Sequence, residues 1–428
     1  MRHAPIDSGL FVQNRRNLQA LLAANTLAVV NANDILPTNA DGTLTMRPNS
    51  DLFYLTGVEQ EESILLLYPE AHDPKFREIL FVRESNPLLE TWEGHKLTKA
   101  EAKAISGVAR VEWASKFPQI FRRLMCECSA AYLNANEHKR ATIVVETREA
   151  RFVRETRALY PLHDLRRLAP LLHRLRAVKS AAEIALLQKA CDITDAGFQR
   201  VCRFVKPGVN EMAVEAEFAH EFIRNGAGFA YNPIIAGGKN ACVLHYLENN
   251  QPCRKGELLL LDVGASYANY NADLTRTIPV GGKFSRRQKQ VYNAVLRVLR
   301  AVSLAATPGK LTKDWQKEAE ACMEQELLEL GLLKRSEIKK QNPDQPAFKK
   351  YFMHGVGHPL GLDVHDVGLT VEPFQPGWVL TVEPGIYIRE EGFAVRLEND
   401  ILVQEGGNLD LMGHIPIEAD EIEALMKK

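Results

Sequence analysis

Asp262 and Asp273 bracket the stretch Gly256-Glu-Leu-Leu-Leu-Leu-Asp262-Val-Gly264-Ala-Ser-Tyr-Ala-Asn-Tyr-Asn-Ala-Asp273-Leu-Thr-Arg-Thr277, and their surroundings limit what they can do. Four leucines running into Asp262 read as a buried strand, and a buried carboxylate must be paired, protonated or bound to a cation. The midpoint between the aspartates falls at Tyr267/Ala268. A fold-back near Ala268-Asn269 would make them cross-strand neighbours, with Cβ atoms roughly 4.5 to 5.5 Å apart. Two carboxylates that close repel unless positive charge lies between them. From Gly377, Gly-Trp-Val-Leu-Thr-Val-Glu383-Pro-Gly385 repeats the same spacing of glycine, carboxylate and glycine, and Glu398 follows Glu383 as Asp273 follows Asp262. Two such hairpins aiming acids inward would build the oxygen-rich cage that a pair of metal ions needs. Two unrelated strands with salt-bridged acids are the plainer alternative.

Between the acid pairs lies Met353-His354-Gly-Val-Gly-His358-Pro-Leu-Gly-Leu-Asp363-Val-His365-Asp366, which holds three of the chain's 12 histidines. The spacing of His354 and His358 matches a helical zinc pair, but Gly355 and Gly357 oppose a regular helix, and no glutamate follows His354 as in H-E-x-x-H. One of the two is therefore expected to hold metal and the other to work on substrate. His245 stands just upstream of the first hairpin. A lone histidine is more often structural; a cluster beside four inward acids favours function. Four carboxylates and one imidazole form a hard donor set that suits Mn²⁺, with Co²⁺, Fe²⁺ or Zn²⁺ as other occupants. Two ions about 3.5 to 4 Å apart acidify a shared water, so the implied chemistry is metal-assisted attack on a carbonyl.

The elements that must position these residues come in two similar sets. Ser180-Ala-Ala-Glu183 is a capping box opening a helix to about residue 204, followed by Pro207-Gly208 and a second helix over 211–225. Ser285-Arg-Arg-Gln288 caps a helix to about 305, Pro308-Gly309 breaks it, and a helix follows to about 331. Each half thus reads helix, Pro-Gly turn, helix, strands, carboxylate hairpin, which implies an internal duplication closing a pseudo-symmetric sheet over one site. Residues 334–350 are polar and read as a surface excursion, and the chain's end suits a terminal helix.

The text before residue 172 is a mixed α/β domain. Helical spacing over 10–25 alternates with short apolar strands at 27–30, 64–68, 79–82 and 143–145, and further helices are expected from the capping box Thr98–Glu101 and over 116–127 and 148–158. Arg47-Pro-Asn-Ser-Asp51-Leu-Phe-Tyr54-Leu-Thr-Gly57 and Glu90-Thr-Trp92-Glu-Gly94 are polar and aromatic in the manner of binding loops, although turn chemistry alone accounts for them equally well.

At 428 residues the chain exceeds what one core usually organises, so two domains are expected, 1–175 and 176–428. Its 53 basic and 54 acidic residues leave a net charge of -1, which points away from nucleic acid. Seven scattered cysteines suit free thiols in a reducing compartment, and Cys126-Glu-Cys128 is too tightly spaced for zinc. The start, Met-Arg-His-Ala-Pro-Ile-Asp-Ser, lacks an apolar signal core, and no run of about 18 apolar residues occurs; a cytoplasmic protein without membrane contact is expected.

With these motifs in view, residues 176–428 resemble the pita-bread metallopeptidases, and the whole chain, Arg47–Gly57 included, resembles the aminopeptidase P family of Xaa-Pro aminopeptidases. The resemblance implies an α/β architecture: a mixed α/β amino-terminal domain serving substrate access and oligomer contacts, then a pseudo-twofold α+β catalytic domain. It implies two divalent ions held by Asp262, Asp273, His358, Glu383 and Glu398, with Asp273 and Glu398 touching both and Glu383 acting as general base. It casts His245 and His365 as contacts of the substrate carbonyl, His354 as a proton shuttle, and Arg396 as a support behind the ligands. Tyr387 and Trp92 match aromatic positions near the site, Trp92 in a loop that in the family reaches a neighbouring subunit of a homodimer or homotetramer. The implied substrates are peptides with proline second; that ring's tertiary amide lacks an N–H and resists ordinary peptidases. Two departures stand out. The connection from His365 to Gly377 lacks the longer arginine-bearing loop of well-known bacterial members, and the loop from Tyr387 to Arg396 is compact. Alternatives are a prolidase restricted to Xaa-Pro dipeptides and an inactive binding protein on the same fold. A creatinase-like enzyme would have lost ligand acids, and a methionine aminopeptidase usually lacks so large an amino-terminal domain.

Overall fold

Short apolar strands and the helices between them build the first of two units into which the chain divides, His3–Arg176 and Ala177–Lys428. The structure, a computed structural model, describes residues 3–368 and 371–427. The first unit runs α1 (Ser8–Gln19), β1 (Thr26–Asn31), α2 (Ser50–Thr56), β2 (Ile64–Leu67), β3 (Glu78–Val82), α3 (Pro87–Glu93), α4 (Lys99–Ser106), β4 (Arg110–Trp113), α5 (Phe117–Met125), β5 (Ala130–Leu133), α6 (Arg148–Leu159), β6 (Asp164–Arg167) and α7 (Ala169–Ala177). The strands form one sheet in the order β4-β3-β2-β1-β5-β6. Its centre is antiparallel, while β4, β5 and β6 join in parallel after helical crossovers. Leu27, Val29, Ile64, Leu66, Ile79 and Phe81 face a core filled by Phe117, Phe121 and Leu124 of α5.

Two expectations fail in this unit. Residues 143–145 form no strand; Val144 is 88% exposed, so three consecutive apolar side chains find no sheet to join. The pairing edge is supplied instead by β5 and β6, whose Ala-Ala-Tyr-Leu and Asp-Leu-Arg-Arg carry too little β-propensity to stand out. Trp92 lies on α3, a seven-residue helix with no buried residue, and not in a loop. Within Arg47–Gly57, Asn49 caps α2 by accepting from the backbone of Asp51 and Leu52, and Gly57 closes it in the left-handed region. Asp51 takes Arg176 Nη1 at 2.7 Å and Asn134 Nδ2 at 2.8 Å, so much of this motif is structural.

The second unit begins with α8 (Ala181–Phe204) and α9 (Glu211–Arg224), then β7 (Gly228–Phe229), β8 (Ile234–Gly237), β9 (Leu258–Val263), β10 (Ala265–Tyr267), β11 (Tyr270–Asn271) and β12 (Leu274–Pro279). The pattern returns as α10 (Arg286–Ala305) and α11 (Thr312–Glu329), then β13 (Val379–Val382), β14 (Gly385–Ile388), β15 (Phe393–Arg396), β16 (Asn399–Leu402) and β17 (Leu409–Asp410). Both capping boxes form as expected at α8 and α10. Gly208 and Gly309 take positive φ after their prolines, which halts each first helix in the same manner.

The hairpins carry the chemistry, and their registers differ. In the first, Asp262 pairs with Thr275 and Tyr267 with Tyr270 around a turn at Ala268 (φ 51°) and Asn269 (φ 66°), the two-residue reversal that matches strand twist. Asp273 therefore lies level with Gly264, diagonal to Asp262 instead of opposite it, a correction to the expected cross-strand pair. Gly264 is obligatory here, because a Cβ would stand 1.7 Å from the Ala272 carbonyl oxygen. In the second hairpin Val382 pairs with Asn399 and Gly385 with Arg396, which puts Glu383 level with Glu398.

The two hairpins are stitched along β12. Thr275 bridges to Glu398, whose N–H donates to the Thr275 carbonyl at 3.0 Å; Asp273 N donates to Asp400 Oδ2 at 3.1 Å, and Thr277 Oγ1 to the Arg396 carbonyl at 3.0 Å. With Gly264 and Gly385 taken as equivalent, Thr275 and Glu398 are each other's counterpart, and Asp273 is the counterpart of Arg396. The unit is thus pseudo-twofold in backbone while its side chains across the seam are not. Below the sheet, α10 and α11 pack Val291, Val295, Trp315 and Met323 against Leu380, Val382, Ile386 and Val395.

Candidate metal centre

Asp273, His358 and Glu398 each offer one ligand atom, and those atoms lie within 4.8 Å of one another in buried surroundings. The strands explain the convergence. Asp273 precedes β12, Glu398 falls between β15 and β16, and His358 arrives on a segment whose carbonyl accepts from Thr381 N of β13 at 2.9 Å. No helix forms over residues 353–358; the segment is irregular, as the glycines imply. Gly357 admits no side chain, since a Cβ would stand 2.0 Å from the Thr381 carbonyl oxygen.

His358 Nδ1 faces the Pro359 carbonyl at 3.0 Å, so that nitrogen carries the proton and donates. Nε2 is turned towards the acids, 3.5 Å from Asp273 Oδ2 and 3.8 Å from Glu383 Oε1, and with a cation between them it would present its lone pair as a metal ligand does. Asp262 joins through its neighbours. Its Oδ2 takes Arg396 Nη2 at 2.5 Å, and the Tyr231 hydroxyl lies 2.6 Å from its Oδ1 and 2.5 Å from Asp273 Oδ1. Thr275 Oγ1 donates to Glu398 Oε2 at 2.6 Å.

A second chain of bonds runs from Arg396 away from the acids. Its Nη1 donates to the Tyr387 hydroxyl at 2.7 Å, and that hydroxyl meets His354 Nε2 at 2.8 Å. A guanidinium can only donate, so the Tyr387 hydroxyl donates its hydrogen bond to Nε2, and His354 Nδ1–H faces the Gly355 carbonyl at 2.8 Å. Burial, with the Arg396 charge behind it, depresses His354 to about 4, which keeps it neutral. His354 Nδ1 is 3.8 Å from Glu383 Oε2.

The electrostatics fit a cation site. Burial pushes the Asp262 carboxyl up, Arg396 pulls it back and Asp273 pushes it further. Burial and then Asp273, Glu383 and Asp262 drive Glu398 well above the carboxylate range. Glu383 keeps 22% of its side-chain surface open, more than the other acids, yet its low-dielectric surroundings still push it up to about 7. Burial lowers His358, and the carboxylates of Asp273 and Glu383 more than offset that. Arg396 and His358 do not balance four carboxylates, and the excess negative charge with oxygen donors fits divalent ions.

The remaining expected residues fall at different distances from this cluster. His365 is exposed, with its ring edge-on to that of His358 at a centroid separation of 4.4 Å and an angle of 89°. His245 is exposed and close enough to His354 to act on its charge. Tyr387 is fully buried as the link between Arg396 and His354. Trp92 belongs to the other unit and is 82% exposed. Of the connection from His365 to Gly377, Leu369 and Thr370 lie outside the described residues.

Several functional side chains had no signal in the sequence. Tyr231 touches two aspartates far along the chain, Thr275 is one of many threonines, and Asp400 touches Asp273 N and Cys191 Sγ only because two hairpins meet. Their roles are set by the seam between halves, which no local spacing reports.

Known proteins place this arrangement. Residues 185–405 match the profile of "Metallopeptidase family M24", and residues 11–133 match "Aminopeptidase P, N-terminal domain". The chain is 34% identical to the Xaa-Pro aminopeptidase of Escherichia coli (strain K12), over 97% of this chain and 97% of that one. It is 32% identical to human Xaa-Pro aminopeptidase 3, over 96% of this chain and 83% of the relative. Among solved structures, Escherichia coli aminopeptidase P, zinc-substituted and in complex with product, superposes with a TM-score of 0.87 at 34% identity, covering 99% of each chain. The same enzyme has been solved with the inhibitor Pro-Leu.

Proposed function

The chain belongs to metallopeptidase family M24 and carries the aminopeptidase P amino-terminal domain, and from that premise we propose that it hydrolyses the bond between an amino-terminal residue and a following proline. The fold is α/β, a mixed amino-terminal domain followed by a pita-bread catalytic domain. The observation that carries the proposal is the buried convergence of Asp273, His358 and Glu398, with Asp262 and Glu383 against it. The amino-terminal domain favours an aminopeptidase over a prolidase.

Asp262, Asp273, His358, Glu383 and Glu398 would hold the divalent ions. Bound there, such ions act as Lewis acids and lower the pKa of water enough for peptide hydrolysis near neutral pH. Mn²⁺ is the ion best matched to four carboxylates and one imidazole, ahead of Co²⁺, Fe²⁺ and Zn²⁺. Glu383, the most open of the acids, takes the proton from the attacking water. Glu383 then gives that proton to the leaving proline nitrogen, and His354, whose Nδ1–H lies 3.8 Å from Glu383 Oε2, would assist the shuttle by steadying the carboxyl. His365 and His245, both exposed, would donate to the carbonyl oxygen as it gains charge. Arg396 holds Asp262 and, through Tyr387, orients His354.

Residues 176–428 are assigned to catalysis and 1–175 to substrate access and oligomer contacts, in a homodimer or homotetramer that uses Trp92. Leu88 and Trp92, exposed together on α3, support the second assignment. Free thiols at all seven cysteines support a cytoplasmic, reducing location.

The test is release of the first residue from an Xaa-Pro-Xaa tripeptide by metal-stripped protein before and after Mn²⁺ is restored, with an Xaa-Pro dipeptide and an Xaa-Ala-Xaa tripeptide alongside. Mn²⁺-dependent cleavage of the first, reduced by roughly 100-fold or more in Asp262→Ala and His365→Ala, is expected. Preference for the dipeptide would make the protein a prolidase, and no cleavage of any proline peptide would sink the reading.

A further inference from the structure

A buried ion pair outside the ligand set closes the segment that carries His365. Lys179 Nζ donates to Asp366 Oδ2 at 3.0 Å, and each side chain is only 1% exposed. Lys179 immediately precedes Ser180, the N-cap of α8, and its backbone N–H donates to the Gly377 carbonyl at 2.8 Å, just before β13. Asp366 N donates to the Pro359 carbonyl at 2.9 Å, which closes residues 359–366 into a loop that begins directly after His358. Leu360 N holds the same loop to the Val379 carbonyl of β13 at 3.0 Å.

The loop is built around the pair. A Cβ on Gly361 would stand 2.2 Å from Asp366 Oδ2 and 2.9 Å from Lys179 Cε, so any side chain there would displace it. The Gly361 carbonyl in turn accepts from Asn271 N at 2.9 Å and Asn271 Nδ2 at 3.0 Å, which ties the loop to the first hairpin. His365 is the neighbour of Asp366 in the chain, and its ring stands perpendicular to that of His358. Moving Asp366 must therefore move His365 relative to the ligand.

Energetics point the same way. Desolvating two charges costs several kcal/mol each, and well-packed apolar replacements are often no less stable, so a buried pair is weak as a stabiliser. What it supplies is a fixed geometry. We propose that Lys179, acting through Asp366, is a positioning residue that sets His365 against His358 and thereby determines the turnover rate. The inference rests on the hydrolase reading above and on His365 acting at the substrate.

The test is a cycle of the near-isosteric, uncharged double variant Lys179→Met/Asp366→Asn against His365→Ala, with kcat, KM, metal content and melting temperature measured for each. In the wild-type background the double variant should lose about tenfold or more in kcat with KM changed by less than about threefold and metal content unchanged. In the His365→Ala background it should lose less than about twofold, because residues acting as a unit are not additive. Wild-type kcat in the double variant, an equal loss in both backgrounds, or a loss that tracks missing metal overturns the proposal. Should the double variant not fold, Lys179→Arg keeps the charge and changes the reach; it must show the same background-dependent loss, and an unchanged kcat overturns the proposal. A wild-type protein inert towards all proline peptides overturns the hydrolase reading and this inference together, whereas an additive loss overturns this inference alone.

Discussion

Tyr231 shows how much of the centre depends on groups that are not ligands. Its hydroxyl sits between Asp262 Oδ1 and Asp273 Oδ1, and burial together with those two carboxylates raises it well above the usual phenol range. It stays protonated, and one proton is shared between two acids that would otherwise repel. Tyr231→Phe should therefore leave the fold intact and weaken metal binding by roughly 10- to 100-fold, as loss of a partner behind a ligand commonly does. Titration calorimetry with Mn²⁺ would measure it, and wild-type affinity in the variant would show that the hydroxyl is dispensable. Asp262 and Glu383 could be picked out beforehand because each ends an apolar run between glycines, and Asp273 and Glu398 because each follows in the matching hairpin, whereas the choice of His358 over His354 came only from the family resemblance. Tyr231 and Thr275 could not be picked out, because a hydroxyl that touches an acid from another strand leaves no periodic mark.

At the scale of elements, register decides which side chains meet. The glycine-carboxylate-glycine spacing identified both hairpins but suggested that their acids pair alike, and they do not. The difference comes from the turn at Ala268-Asn269, one position beyond the midpoint of the two aspartates, which moves Asp273 from Asp262 to Gly264. Gly264→Ala should consequently cost about 3 kcal/mol or abolish soluble expression, since its Cβ would overlap the Ala272 carbonyl oxygen. Gly228→Ala, where no atom lies within 4 Å of the added carbon, should cost less than about 1 kcal/mol, as surface changes do. Urea unfolding of the two variants checks the contrast. Capping boxes were legible because both partners lie within one turn of chain. β5 and β6 were not, because their strand character is conferred by the neighbour they join and not by their own residues.

On the scale of the molecule, the two units differ in how their buried acids are compensated. In the first unit Glu149 is buried, and burial pushes its carboxyl up to about 7 although Asn31 N at 2.9 Å and Asn31 Nδ2 at 2.8 Å both donate to it. The Asp51 charge raises it further and Arg148 lowers it. A carboxyl whose folded pKa exceeds its unfolded value contributes stability that is complete below the unfolded pKa and is lost as pH rises through the folded one. Between about pH 4.5 and pH 7 the first unit should thus lose on the order of 2 to 3 kcal/mol from this group. Amide exchange across β1 and α6 at pH 5 and pH 8 should show that loss in the wild type and a flatter response in Glu149→Gln. Equal slopes in both would refute it.

The seam along β12 also constrains how such a centre can arise or be rebuilt. Asp273 faces across it as the counterpart of Arg396, and Thr275 as the counterpart of Glu398, so each half brings a charge that the other lacks. A perfectly symmetric pair of first halves would set threonine against threonine, and a pair of second halves would bring two guanidiniums to the middle. The first pairing would supply four carboxylates but no counterpart of the His358 imidazole, and the second would crowd its guanidiniums among its acids, so the set of four acids, one imidazole and one guanidinium exists only because the repeats differ.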